Sequence, residues 1–301
     1  MVHVKHIDSS HLIYAFSPDN PPIASVELDE PFWVDCLDCY GGQIRSEQDL
    51  RPEIDTSLID ASTGPITVNG VKAGDVIKVR IYEISLGAQG VMVTAPGLGP
   101  LGDLIEKANT KIIPIRNGKA IFSDDIKLPL RPMLGVLGVA PAKGKIHCAV
   151  PGDHGGNMDT KEVRPGNSVY LPVFVDGANL ALGDIHACMG DGELSGTGIE
   201  IAGQVLLSVS KAPGLSIELP IVETPDSFMI IASAGTFNAC ARGAIKATVD
   251  LIAASRNLPT ADAYRLLSAT CDLRVSQIVN EKITLRTVVP KTIMAALPSR
   301  E

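Results

Sequence analysis

No run of lysines and arginines occurs anywhere in the chain. Its 34 acidic residues outnumber its 26 basic ones, for a formal net charge of -8. Phosphate backbones are bound by clustered Lys and Arg, so nucleic acid is excluded as a partner. Also missing is an apolar stretch near the ~20 residues that a membrane helix needs, and no membrane association is expected. The first residues, "MVHVKHIDSSHLIYAF", place charges and histidines where a secretory leader would be apolar. Cysteine is scarce for 301 residues: Cys36, Cys39, Cys148, Cys188, Cys240 and Cys271. Without a secretory context these read as reduced thiols, and the protein as cytoplasmic.

Several catalytic signatures are absent as well. There is no G-x-S-x-G elbow for a serine hydrolase and no H-E-x-x-H zinc helix. Cys36 and Cys39 form a C-x-x-C with no second copy, too little for a zinc ribbon or a redox pair. "GLGPLG" at 97–102 spells a dinucleotide fingerprint, but Pro100 interrupts it and no βαβ rhythm surrounds it. Cys148 beside His147 is no nucleophile pair, since neighbours on a strand face opposite ways.

What remains is 45% hydrophobic residues, enough for a sizeable core, punctuated by 28 glycines and 21 prolines. The segments between them read as strands. Ile66 to Val68 and the alternating Val76 to Ile84 flank Asn69-Gly70, a hairpin signal. "SVYLPVFVDG" and "EIAGQVLLSVS" show the same period of two. Residues 129–145 hold Pro and Gly in quick succession and read as a long connection. A helical pattern begins only after about residue 236, with Ala244, Ile245, Thr248, Val249, Ile252 and Ala253 on one face. Pro259 closes it, and Thr260 is placed as the cap of a second helix. "LRVSQIV" and "KITLRTVV" supply two last strands. The expected fold is mainly β, a decorated sandwich or barrel with a smaller α+β C-terminal part. Its expected units are a body at 1–225 that carries the site and a region at 226–301 packed on it.

Three acidic, glycine-punctuated patches stand at strand ends. In "GDIHACMGDGE", Asp184 and His186 are two apart, so on a strand both project from one face with Cα atoms roughly 6.5 Å apart. That separation lets a carboxylate and an imidazole meet on one ion. Asp191 and Glu193 repeat the spacing, although Asp191-Gly192 also suits a plain turn. "VPGDHGGNMDTKEVRPGN" gathers Asp153, His154, Asn157 and Asp159 around a Gly pair, in a spacing that fits no EF-hand. "WVDCLDCYGGQIRSE" pairs Asp35 and Asp38 with Gly41, Gly42 and Gln43.

"DCLDCYGGQI", the long block from Gly152 to Glu193, and "GTGIEIAG" together resemble the acetamidase/formamidase family. The likeness spans nearly the whole chain, and "CDLRVSQIVN" is similar to that family's C-terminal part. It implies a decorated β-sandwich that hydrolyses a short aliphatic amide to ammonia and the acid, as a homodimer or larger homo-oligomer. The family's functional pattern falls on Asp38, Gly41, Gly42, Gln43, Asn157, Asp159, Asp184, His186, Asp191, Glu193 and Glu200. His154 is a position where relatives similar to true formamidases can carry a different residue, and it ranks below His186 as a ligand.

From these residues a mechanism is inferred. Asp38, Asp184 and His186, then Asp159, are expected to hold a divalent metal, zinc first, with manganese or calcium also open. Glu193 or Glu200 would move the water's proton to the departing amine, with Asp191 also counted as catalytic. Asn157 would donate to the oxyanion. Gly42, Gln43 and His154 are assigned to the substrate, a small amide. Two rival readings stay open: a small-ligand-binding sandwich with structural ions, and a hydrolase of a different amide or ester.

Overall fold

The computed structural model describes residues 4–298. Residues 1–3 of the charged N-terminal stretch and residues 299–301 of the C-terminal region lie outside it.

The alternating stretch forms the long strand Val76–Leu86. It pairs antiparallel with Ser168–Pro172 on one side and Gly203–Lys211 on the other. These three expected strands are thus neighbours in a nine-stranded sheet. Its order is Lys5–Ile7, Phe32–Cys36, Gly203–Lys211, Val76–Leu86, Ser168–Pro172, Ile221–Glu223, Ser227–Ala234, Ile283–Pro290 and Asp272–Gln277. A second sheet packs against it, ordered Gly155–Asn157, Met133–Gly138, Leu180–His186, Ser62–Val68 and Leu12–Ile13, with Ala24–Val26 also on Ser62–Val68. One apolar core joins the two, with Phe32, Val34, Ile77, Val79, Val205 and Leu207 from the first sheet. Ile66, Leu134, Leu137, Leu180 and Leu182 come from the second. The protein is mainly β, as its patterning implies.

Two helices follow. α1, Phe237–Arg256, starts at Thr236, whose side chain accepts from the Ala239 amide, and ends at Asn257 in the left-handed region. Its buried face is Cys240, Ala244, Thr248, Val249 and Ile252, four of them from the expected stripe, whose Ile245 and Ala253 are only half-buried. It packs on Ser227–Ala234 and Ile283–Pro290. α2 is Thr260–Thr270, so Thr260 is its first helical residue and Pro259 occupies the cap. The nine-stranded sheet continues across residue 225, because Ile221–Glu223 and Ser227–Ala234 pair directly. No helix among the described residues is long and apolar enough to cross a membrane.

Two expectations are overturned. Asn69-Gly70 does turn the chain, with Gly70 at φ 80°, but the flanking strands lie in different sheets and do not pair. The turn carries the chain from one layer to the other instead of closing a hairpin. Residues 129–145 are no mere connection, because Met133–Gly138 is a fully buried strand between Gly155–Asn157 and Leu180–His186. Its glycines are packing requirements, as the site makes plain.

Candidate functional site

Leu180–His186 is buried at all seven positions and runs antiparallel to Met133–Gly138. Its last residues project Asp184 and His186 together, as the period of two requires: His186 Nε2 lies 3.1 Å from Asp184 Oδ1. Gly135 is the residue between the registered pairs Leu134↔Ile185 and Val136↔Gly183, and so lies opposite Asp184. A Cβ at 135 would overlap the Asp184 carboxylate and come within 2.6 Å of Asp159 Oδ1. The Gly135 carbonyl also accepts from the Asp159 amide at 3.3 Å. Glycine here makes room for two acids.

The other members arrive from loops. Residues 199–201 lie alongside the strand end, with Ala187 donating to the Ile199 carbonyl and Ile201 to that of Ile185. This places Glu200 Oε2 3.1 Å from His186 Nε2. Glu200 Oε1 is fixed by the Gly198 amide at 2.7 Å and Thr197 Oγ1 at 2.9 Å. Asp159 Oδ1 lies 3.9 Å from the same imidazole nitrogen. Asn280 Nδ2 donates to Asp159 Oδ2 at 2.8 Å, and the Asn157 amide, oriented to donate, reaches both Asp159 oxygens at 2.9 and 3.0 Å. Potential ligand atoms of Asp159, His186 and Glu193 lie within 4.8 Å of one another. So do those of Asp184, His186 and Glu200, and those of Cys39, Asp60 and Asp184.

Asp60, Asp159, Asp184 and Glu193 all hold left-handed backbones, at φ 55°, 42°, 55° and 49°. Each costs on the order of 1–3 kcal/mol, and such strain gathers at functional sites. The electrostatics are equally costly. Asp60, Asp159, Asp184, Glu193 and Glu200 are all buried, and among the described residues no Lys or Arg pairs with any of them. Burial pushes Asp159 and Asp184 up to about 6, the neighbouring carboxylates adding to it. Burial and Asp159 hold Glu193 well above the usual range, and burial with Asp184 does the same to Asp60. Burial opposes charge on His186, but Glu200 and Asp184 more than offset this and raise it well above its ordinary value. Burial likewise opposes a charged Glu200, and the His186 ring beside it brings that carboxyl below its usual value. One imidazole cannot balance five acids; a cation can. His186 Nδ1 is buried without a hydrogen-bond partner. The buried oxygen-rich donor set with one nitrogen therefore suits a divalent metal.

A cavity of about 180 Å3 opens onto this cluster, lined by Cys39, Asp60, Asn157, Asp184, His186, Glu193 and Glu200. Arg51 and Leu98 also border it, the latter from the "GLGPLG" stretch.

The other sequence candidates make different contacts. Asp38 Oδ1 accepts from the Tyr40 and Gly42 amides at 2.9 and 3.3 Å, closing its own turn. Asp38 and Gly42 line a neighbouring depression that shares only Glu200 with the cavity. Gln43 is spent on the Tyr40 and Asp55 backbones. His154 is buried edge-on to Phe16, 5.1 Å between ring centres, and burial depresses it to about 4. Asp191 is held by Arg286 at 2.6 Å and Lys161 at 2.9 Å. Asn157 lines the cavity itself and donates to both Asp159 oxygens. Asp60, Cys39, Thr197, Asn280 and Gly135 were not singled out as site residues. Cys39 and Cys36 are both free thiols.

The profile of the Acetamidase/Formamidase family matches residues 4–149 and 146–296. An acetamidase from Bacillus halodurans superposes with a TM-score of 0.95 at 41% identity, over 97% of this chain and 99% of that one. A predicted acetamidase/formamidase from Thermoanaerobacter tengcongensis gives 0.94 at 42%, over 97% and 98%. The formamidase of Methylophilus methylotrophus is 30% identical over 252 residues, which is 64% of this chain and 62% of that relative. Across the curated relatives the match spans 61–65% of their own length. On the profile and the superpositions together, the chain belongs to the acetamidase/formamidase family.

Proposed function

We propose that the protein is a metal-dependent amidohydrolase that cleaves a short aliphatic amide with water to give ammonia and the carboxylic acid. The observation that carries this reading is the buried cluster of five carboxylates around one imidazole at the wall of a small cavity. Asp159, Asp184, His186 and Glu200 would hold the ion, zinc first by the donor set, with manganese and calcium as the alternatives to be tested. A bound divalent ion supplies an electrophile that lowers the pKa of water from 15.7 toward ~7 and polarises an amide carbonyl. Glu193, whose carboxyl is inclined to hold a proton, takes one from the attacking water and delivers it to the departing nitrogen. Thr197 and Gly198 keep Glu200 aimed at His186, while Asn157 and Asn280 fix Asp159. The cavity, about 180 Å3, is well below the roughly 300–1,000 Å3 of drug-sized sites, which supports an amide of a few heavy atoms. The edge strands Lys5–Ile7 and Asp272–Gln277 support a homo-oligomer, and the free thiols a cytoplasmic location.

The test is ammonia release from formamide and acetamide by purified protein, before chelation, after it, and after adding back each ion. Release that depends on one ion is expected. Undiminished release from fully chelated protein would sink the proposal, as would tight ion binding with no turnover of any short amide.

A further inference from the structure

Strand Ile283–Pro290 carries a charged residue in an otherwise apolar and hydroxylated run: Arg286, 0% exposed. A guanidinium is rarely buried unless every arm is engaged. Its Nη2 donates to Asp191 Oδ1 at 2.6 Å and to Glu162 Oε1 at 3.2 Å. Its Nη1 donates to Ser276 Oγ at 3.1 Å and also to the Val275 carbonyl. Glu162 stands three residues after Asp159, and Asp191 two before Glu193. One side chain therefore ties together the two loops that deliver Asp159 and Glu193 to the cluster around His186.

The surrounding bonds reinforce the same tie. Ser276 Oγ bonds Thr160 Oγ1 at 2.8 Å, beside Asp159, while its carbonyl accepts from the Gly192 amide at 2.9 Å, beside Glu193. Four residues on, Asn280 holds Asp159 itself. Lys161 also reaches Asp191, but from a side more than a third exposed.

We propose that Arg286 is the positioning residue of this site: through Glu162 and Asp191 it sets the separation of Asp159 and Glu193, and with it the affinity for a divalent ion, while touching neither ion nor substrate. The proposal rests on the reading that Asp159, Asp184, His186 and Glu200 hold such an ion, with the Glu193 carboxylate, within 4.8 Å of the Asp159 and His186 ligand atoms, adding its charge beside it. Arginine suits the task because its planar fork grips two carboxylates in fixed directions, which a lysine cannot do.

Arg286→Met would strand two acids and is expected to unfold the chain, so the test cuts the tie from its half-exposed end. Asp191→Asn keeps the size of the side chain and removes its charge. Zinc and manganese titrations of the chelated protein by calorimetry are expected to show at least about tenfold weaker binding in this variant, the scale of an outer-shell loss. Lys161→Met, which removes only the outer partner, should bind as the wild type does. In a Glu193→Gln background, Asp191→Asn should weaken binding no further, because Asp191 acts through Glu193. Wild-type protein that binds neither ion overturns both this inference and the functional reading. Wild-type binding with an equally tight Asp191→Asn, or a loss that persists undiminished beside Glu193→Gln, overturns this inference alone.

Discussion

Gly135 and Asp184 touch across a strand pair so closely that a single methyl group at position 135 would occupy the space of the carboxylate. Gly135 does not hold a positive φ, so alanine there meets no backbone objection. The damage falls on Asp184 and Asp159. Gly135→Ala is expected to cost about 1–3 kcal/mol, as overpacking does, and to abolish ion binding in the same stroke. Thermal melting and metal content of the purified variant check both halves.

Asp184 and His186 meet at 3.1 Å and are the two residues the ion-binding reading can least spare. Asp184→Asn and His186→Ala should each weaken the ion by more than the roughly 10–100-fold typical of an outer-shell partner, with ammonia release falling alongside. Full metal content and activity in both variants would refute the assignment.

Asp38 and Asp60 make a matched contrast, because both are acids near the same cavity. Asp38 serves the Tyr40 and Gly42 amides, whereas Asp60 shares a potential ligand group with Cys39 and Asp184. Asp38→Ala should lower stability by about 1–3 kcal/mol, the cost of unmet buried amides, while leaving the ion in place. Asp60→Asn should do the reverse, relieving buried charge and weakening ion binding. Denaturation curves paired with metal analysis separate the two.

Ion affinity should fall with acidification. Asp159 and Asp184 sit at about 6, and a carboxylate must shed its proton to bind a cation. Below that point each bound proton competes, so affinity should drop by roughly tenfold or more per pH unit between about pH 6 and pH 5. The metal-free protein obeys the opposite sign. These two acids are raised above their unfolded value of roughly 3.9, so their contribution to stability is complete below that value and is lost as pH rises through about 6. His154, held down to about 4 by burial, runs against that trend, which makes titration of the ion the cleaner measurement. An affinity that is flat across this window would contradict the ligand assignment.

Much of the architecture was legible in local pattern. Period-two alternation located Val76–Leu86 and placed Asp184 with His186, and the apolar stripe after residue 236 located α1. Where the reading went astray, a tertiary demand had overruled local chemistry. Met133–Gly138 looked like a linker because Gly135 is absent as a side chain for the sake of two distant carboxylates. Asn69-Gly70 turns as its residues require, but which layer the chain enters next is decided by the core. Asp38 sits in a richer motif than Asp60, and its Oδ1 accepts within the turn that the motif builds. Asp60 had no motif at all. Arg286 was equally silent, since its partners are distant in the chain.

The left-handed backbones of Asp60, Asp159, Asp184 and Glu193 set durability against activity at four separate positions. Glycine would relax each of them and delete an awkward buried charge in the same exchange. A laboratory selection for heat resistance alone, run with chelator present, would therefore enrich glycine at these places. Its winners would be hardy and inert.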